Sequence, residues 1–118
     1  MRSSLAWVRT AAALSAAVLF GMVSLHALAE EATGTRHVVE IREFAFVPAA
    51  PALAPGDTVV WINRDIVSHT ATAEDGSWDS GEIEPGGRWE MVVGTSTLPA
   101  YFCAFHPSMK GRLAMVRF

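Results

Sequence analysis

Along most of the chain, apolar residues recur at every second position rather than every third or fourth. In DTVVWIN (57–63), Val59 and Trp61 fall on one side and Thr58, Val60 and Ile62 on the other; in GRWEMVV (87–93), Trp89, Met91 and Val93 alternate with Arg88 and Glu90. That period belongs to extended backbone, whose successive side chains point to opposite faces. Two more runs read the same way: RHVVEI (36–41), with Val39 and Ile41 on one face, and GRLAMVRF (111–118), with Leu113 and Met115 against Arg112 and Ala114. Turn residues punctuate them at Pro55-Gly56-Asp57, Asn63-Arg64-Asp65, Asp75-Gly76-Ser77, Pro85-Gly86-Gly87 and Leu98-Pro99. Short strands with breakers at roughly 8–12-residue spacing predict a single all-β domain, an antiparallel sandwich or barrel. Trp61, Trp89, Phe44, Phe46 and Tyr101 are expected to fill its core. The acidic loop around Trp78, with Glu74, Asp75 and Asp79, is expected to be solvated, because its spacing lacks the ordered ligand ladder of a calcium site.

The first 29 of the 118 residues follow a different rule. Arg2 and Arg9 flank a charged start, an apolar run extends from Ala11 to Leu25, and Ala27-Leu28-Ala29 offers small residues where a signal peptidase reads. The run is shorter than the ~20 residues of a spanning helix. We therefore expect a leader at 1–29, cleaved after Ala29 on the general secretory route, and a mature domain at 30–118 in the periplasm without stable membrane insertion. Loss of Arg2 and Arg9 leaves 7 basic against 12 acidic side chains, a net charge of −5. That balance argues against nucleic acid, whose affinity comes from neutralised phosphates.

An exported domain this small usually carries disulfides, yet the only cysteine is Cys103. It stands in YFCAFHPSMKGRLAMV (101–116), where Cys103, His106 and Met109 are three residues apart. Singly, each reads as a small buried group, an ordinary hydrogen-bonding residue and a gap-filler. Together, thiolate, imidazole and thioether are soft donors that select copper. A mononuclear electron-transfer copper site needs a second imidazole. The mature chain has three histidines: His37, His69 and His106. His37 precedes the first expected strand and reads as a surface residue. His69 follows the 57–63 strand and its turn, where sandwich loops could bring it beside Cys103.

These residues resemble the cupredoxins, and within them the amicyanin-like proteins of the plastocyanin–azurin family. The resemblance runs from about Val38 to the end. It is carried by GDTVVWIN followed after a turn by His69, by SGEIEPGGRW, and by the C-x2-H-x2-M pattern with a closing strand. It implies a Greek-key β-sandwich or barrel holding one type 1 copper ion that alternates between Cu(II) and Cu(I). His69, Cys103 and His106 would be its equatorial ligands and Met109 the axial one. It also implies a monomer that shuttles electrons between a redox donor and acceptor, with His106 near the surface and Phe105, Pro107 and Val67 forming an apolar docking patch. The chain departs from the amicyanin-like pattern at Ser68 and Thr70, beside the first histidine, and at Ala104-Phe105. Thr70 stands where a residue restraining the thiolate is expected.

The same ligands could serve copper delivery or storage, but the clusters of extra Met or His and the flexible tail of such proteins are missing. Catalytic copper clusters need further imidazoles, and three histidines leave none to spare, so an enzyme is not expected.

Overall fold

The computed structural model describes residues 34–116; the expected leader at 1–29 and the last two residues lie outside them. The strands are β1 (Arg36–Arg42), β2 (Ala45–Val47), β3 (Ala52–Leu53), β4 (Thr58–Asn63), β5 (Thr72–Ala73), β6 (Arg88–Val92), β7 (Ala100–Cys103), β8 (His106–Arg112) and β9 (Ala114–Met115). No helix occurs among the described residues, and so none is long and apolar enough to cross a membrane.

β2, β1, β4 and β6 form one sheet in that order. Its registers set Val39 beside Trp61 and Trp61 beside Trp89, with Val59 beside Met91. The alternation along the chain thus becomes one apolar face. β5, β7 and β8 form a second sheet, and β3 pairs with β9. Between the faces, Val39, Ile41, Phe46, Leu53, Val59, Trp61, Tyr101, Cys103 and Leu113 are at most 2% exposed. Each large aliphatic or aromatic side chain buried here contributes about 1.5–3 kcal/mol. Trp61 donates its indole N–H to the Tyr101 hydroxyl at 3.3 Å. Burial pushes the Tyr101 phenol up to about 12 despite that bond.

The all-β sandwich is as the periodicity predicts, with two differences of detail. The β1–β4 and β3–β9 pairings are parallel, so the first sheet is mixed. A period of two reports which face a side chain takes, not the direction of its neighbour. The closing strand also begins earlier than residue 111, because β8 starts at His106, and Leu113 separates it from β9.

Phe44, expected in the core, is 52% exposed. It lies in the β1–β2 turn, where Glu43 and Phe44 take φ values of 50° and 57° and leave the strand alternation. His37 lies inside β1 rather than before it, and its Nε2 is 2.9 Å from Asp57 Oδ2. Asp57 also accepts the Thr35 and Ala54 N–H groups at 2.9 and 3.0 Å, tying chain segments together at the start of β4.

Two predictions follow from this packing. Gly111 lies against the Tyr101 ring, and a Cβ there would overlap the phenol carbons. Gly111→Ala is expected to lower unfolding stability by about 1–3 kcal/mol, read from denaturant unfolding. Asp57 has its pKa lowered from 3.8, first by the Ala54 N–H and then by His37. A carboxylate with a depressed folded-state pKa stabilises fully above its unfolded value and loses that contribution as pH falls through the folded value. The melting temperature of the metal-free chain is therefore expected to drop below about pH 4, with a shallower drop in Asp57→Asn.

Candidate metal centre

At the end of β4 opposite Asp57, Asn63 is fully buried and fixes the turn that follows. Its amide donates to the Val67 and Ile83 carbonyls at 2.8 and 2.9 Å, and its Oδ1 accepts the Asp65 N–H at 2.9 Å. His69 leaves this turn in a two-way backbone bridge with Ile83, at 3.1 and 2.8 Å. The expected turn at Asn63-Arg64-Asp65 is therefore a scaffold that delivers His69 to the interior.

The other donors come from a hairpin. Cys103 ends β7, Ala104 and Phe105 make the turn, and His106 opens β8 opposite Cys103. The next pair in register is Phe102 with Lys110. One step along β7 thus spans four along β8, and Pro107, Ser108 and Met109 bulge from the ladder. Met109 is only 5% exposed and joins the core cluster from that bulge.

His69 Nδ1 and His106 Nδ1 lie 3.6 and 3.7 Å from Cys103 Sγ. The three donor atoms are all within 4.8 Å of one another. A first-row ion with S and N bonds of ~2.3 and ~2.0 Å, at angles of 110–120°, separates S from N by about 3.5–3.7 Å. The donors stand at that separation. His69 is fully buried and His106 half-buried, so the site has an inner and an outer imidazole.

The tautomer of His69 is set by its other nitrogen. Nε2 is 2.7 Å from Asp65 Oδ2, and an ionised carboxylate only accepts, so Nε2 carries the proton and Nδ1 turns a lone pair toward the sulfur. Burial pushes the Asp65 carboxyl up, but the Phe44 N–H, His69 and the Glu43 N–H outweigh it and hold the group below the ordinary carboxylate value. The His69 lone pair, His106 Nδ1 and the sulfur converge on one point. The arrangement fits a cation.

Thr70 joins the two chain segments. Its N–H donates to Cys103 Sγ at 3.3 Å, and its hydroxyl oxygen accepts the Ala104 N–H at 2.7 Å. That hydroxyl is 2.9 Å from the Thr72 hydroxyl, which donates to Asp79 Oδ1 at 3.0 Å. Because Asp79 accepts, Thr72 is the donor there and Thr70 donates to Thr72. The protons run in one direction from Ala104 through Thr70 and Thr72 to Asp79. Asp79, exposed in its solvated loop as expected, also anchors this chain. Thr70 does stand beside the thiol, as expected, and it acts through both backbone and side chain.

Sequence reasoning passed over Asp65 and Phe44. The Phe44 ring stands at 84° to both imidazoles, with centroids 5.4 Å from His69 and 4.9 Å from His106. Neither residue has a signal in spacing, since each is brought to the site by a turn. His37 stays with Asp57 at the other end of β4.

No family model matches the sequence, and neither does any curated protein. Solved structures do match. An oxidised amicyanin variant aligns at 21% identity over 67% of this chain and 80% of its own, with a TM-score of 0.62. An amicyanin variant in its reduced state aligns at 25% identity over 70% and 83%, with a TM-score of 0.60. A copper-containing nitrite reductase from Thermus scotoductus SA-01 aligns at 22% identity with a TM-score of 0.61; the match covers 69% of this chain but only 22% of the reductase. With two imidazoles and a thiol gathered at one end of an all-β sandwich, and with these likenesses, the chain is a cupredoxin in fold.

Proposed function

We propose that this protein holds one type 1 copper ion and carries single electrons between a donor and an acceptor protein in the periplasm. The observation that carries this reading is the approach of both Nδ1 atoms to Cys103 Sγ at 3.6 and 3.7 Å, with the His69 tautomer already fixed. His69, Cys103 and His106 would hold the ion through two imidazole nitrogens and a thiolate. Met109, buried on the bulge just after His106, would add a weak thioether donor. Bound there, copper supplies reversible one-electron exchange between Cu(II) and Cu(I).

The chain contributes constancy of position. Asn63 braces the turn that presents His69, and Thr70 fastens the Cys103 hairpin to it. Side chains restrained in this way have little to rearrange when the charge at their centre changes. The same restraint favours a shuttle over delivery or storage, which requires ligands that let the ion go. Half-buried His106 is the route for electrons. Phe44 lies against its ring, and Phe105 and Pro107 beside it are exposed, so a partner would dock on an apolar rim. Val67 is half-buried, and its neighbour Ile66 is 93% exposed. The amicyanin likeness supports the carrier reading.

Stoichiometric Cu(II) added to the full chain is expected to give intense visible absorption from thiolate-to-copper charge transfer, bleached and restored by successive reduction and oxidation without loss of metal. Cys103→Ser should abolish the colour; a colourless wild-type adduct, or colour that survives in Cys103→Ser, overturns the reading. Thr70→Val keeps the volume but removes the acceptor of the part-buried Ala104 N–H and the hydroxyl partner of buried Thr72. It is expected to cost about 1–3 kcal/mol in denaturant unfolding of the metal-free chain, whereas Thr70→Ser should stay close to wild type.

A further inference from the structure

We propose that Asp65 is a positioning residue for both imidazoles: it holds His69 directly, and it holds His106 at one remove by fixing Phe44 across the two rings. Its purpose rests on the copper reading above, but its geometry and its test do not.

Glu43 and Phe44 form the β1–β2 turn with successive left-handed backbone angles, φ 50° and 57°. Residues other than glycine keep such angles only where their surroundings over-determine them. Two successive N–H groups turned the same way make a concavity that binds an anion. Here the anion is the Asp65 side chain. Oδ1 accepts the Glu43 N–H at 2.7 Å and Oδ2 accepts the Phe44 N–H at 3.0 Å. Oδ2 also accepts the His69 Nε2–H at 2.7 Å, so one oxygen is shared by the inner imidazole and the backbone of Phe44. Asp65 is itself held by Asn63, through its own N–H.

An aspartate that merely closed a turn would have no reason to place an aromatic ring in solvent. Phe44 is 52% exposed, yet it stands edge to face with both His69 and His106. The two imidazoles are 5.0 Å apart, and Phe44 spans them. The Phe44 side chain thus covers part of the outer imidazole, and the turn geometry aims it there. With Asp65 removed, the turn loses the anion that stabilises its backbone, Phe44 is free to leave, and His106 loses its cover although Asp65 makes no hydrogen bond to it.

The histidine ring resonances of the isotope-labelled full chain test this, recorded metal-free and with diamagnetic Cu(I). In the native chain His69 should show a protected Nε2–H, and the His106 ring protons should be displaced by the Phe44 ring current. Phe44→Leu and Asp65→Ala should each remove most of that His106 displacement, and the double variant should remove no more than either alone. Should Asp65→Ala fail to fold, Asp65→Asn serves, because its single acceptor oxygen cannot satisfy both turn N–H groups and His69. A folded Asp65 variant with native His106 shifts, or displacements that add in the double variant, would overturn the proposal. A failure of the copper reading appears separately, as a colourless wild-type protein with Cu(II), and leaves the metal-free spectra interpretable.

Discussion

Two imidazole nitrogens and a sulfur face one another inside this protein, and their neighbours are arranged so that they stay there. Turning such polar atoms away from water is costly. The compensation is structural. His69 is held through its far nitrogen by Asp65, Cys103 Sγ receives the Thr70 N–H, and the Ala104 N–H beyond the cysteine is taken up by the Thr70 hydroxyl. No buried side-chain nitrogen or oxygen among the described residues lacks a hydrogen-bond partner. The site is thus an internally satisfied polar network whose donor set suits a soft cation.

The sheets exist in large part to bring the two halves of this network together. Cys103 lies 34 residues beyond His69, and loops alone would not keep such distant segments in register. β7 pairs with β5, which begins two residues after Thr70, so the sheet sets the spacing of thiol and imidazole. Trp61, Tyr101 and Phe46 pack beneath. The rigidity of the core is passed upward to the ligands by backbone pairing.

Much of this was legible in the chain. Alternation found the faces of β1, β4 and β6, because burial on one side of a sheet leaves a period of two in the residues themselves. Cys103, His69 and His106 were legible because their side chains are chemically rare and their spacing is constrained. Asp65, Asp79 and Phe44 were not. An aspartate in a turn looks the same in sequence whether it meets water, a backbone nest or an imidazole, and only the path of the turn decides. Phe44 misled for a related reason: apolar residues are expected in the core, but a left-handed backbone swings this one out of the strand pattern. The parallel pairing of β1 with β4 was hidden as well, since strand direction depends on how the intervening chain crosses over.

The bulge in β8 separates two things that are usually coupled in a hairpin. The ladder stops at Cys103 and His106 and resumes at Phe102 and Lys110, so Pro107, Ser108 and Met109 have no partner on β7. Their number can change without shifting Tyr101 from Gly111, while Met109 ties the segment to the core. The fold therefore carries an adjustable segment between an outer imidazole and a thioether. Variation in that segment would retune the centre over evolutionary time while the sandwich stays as it is.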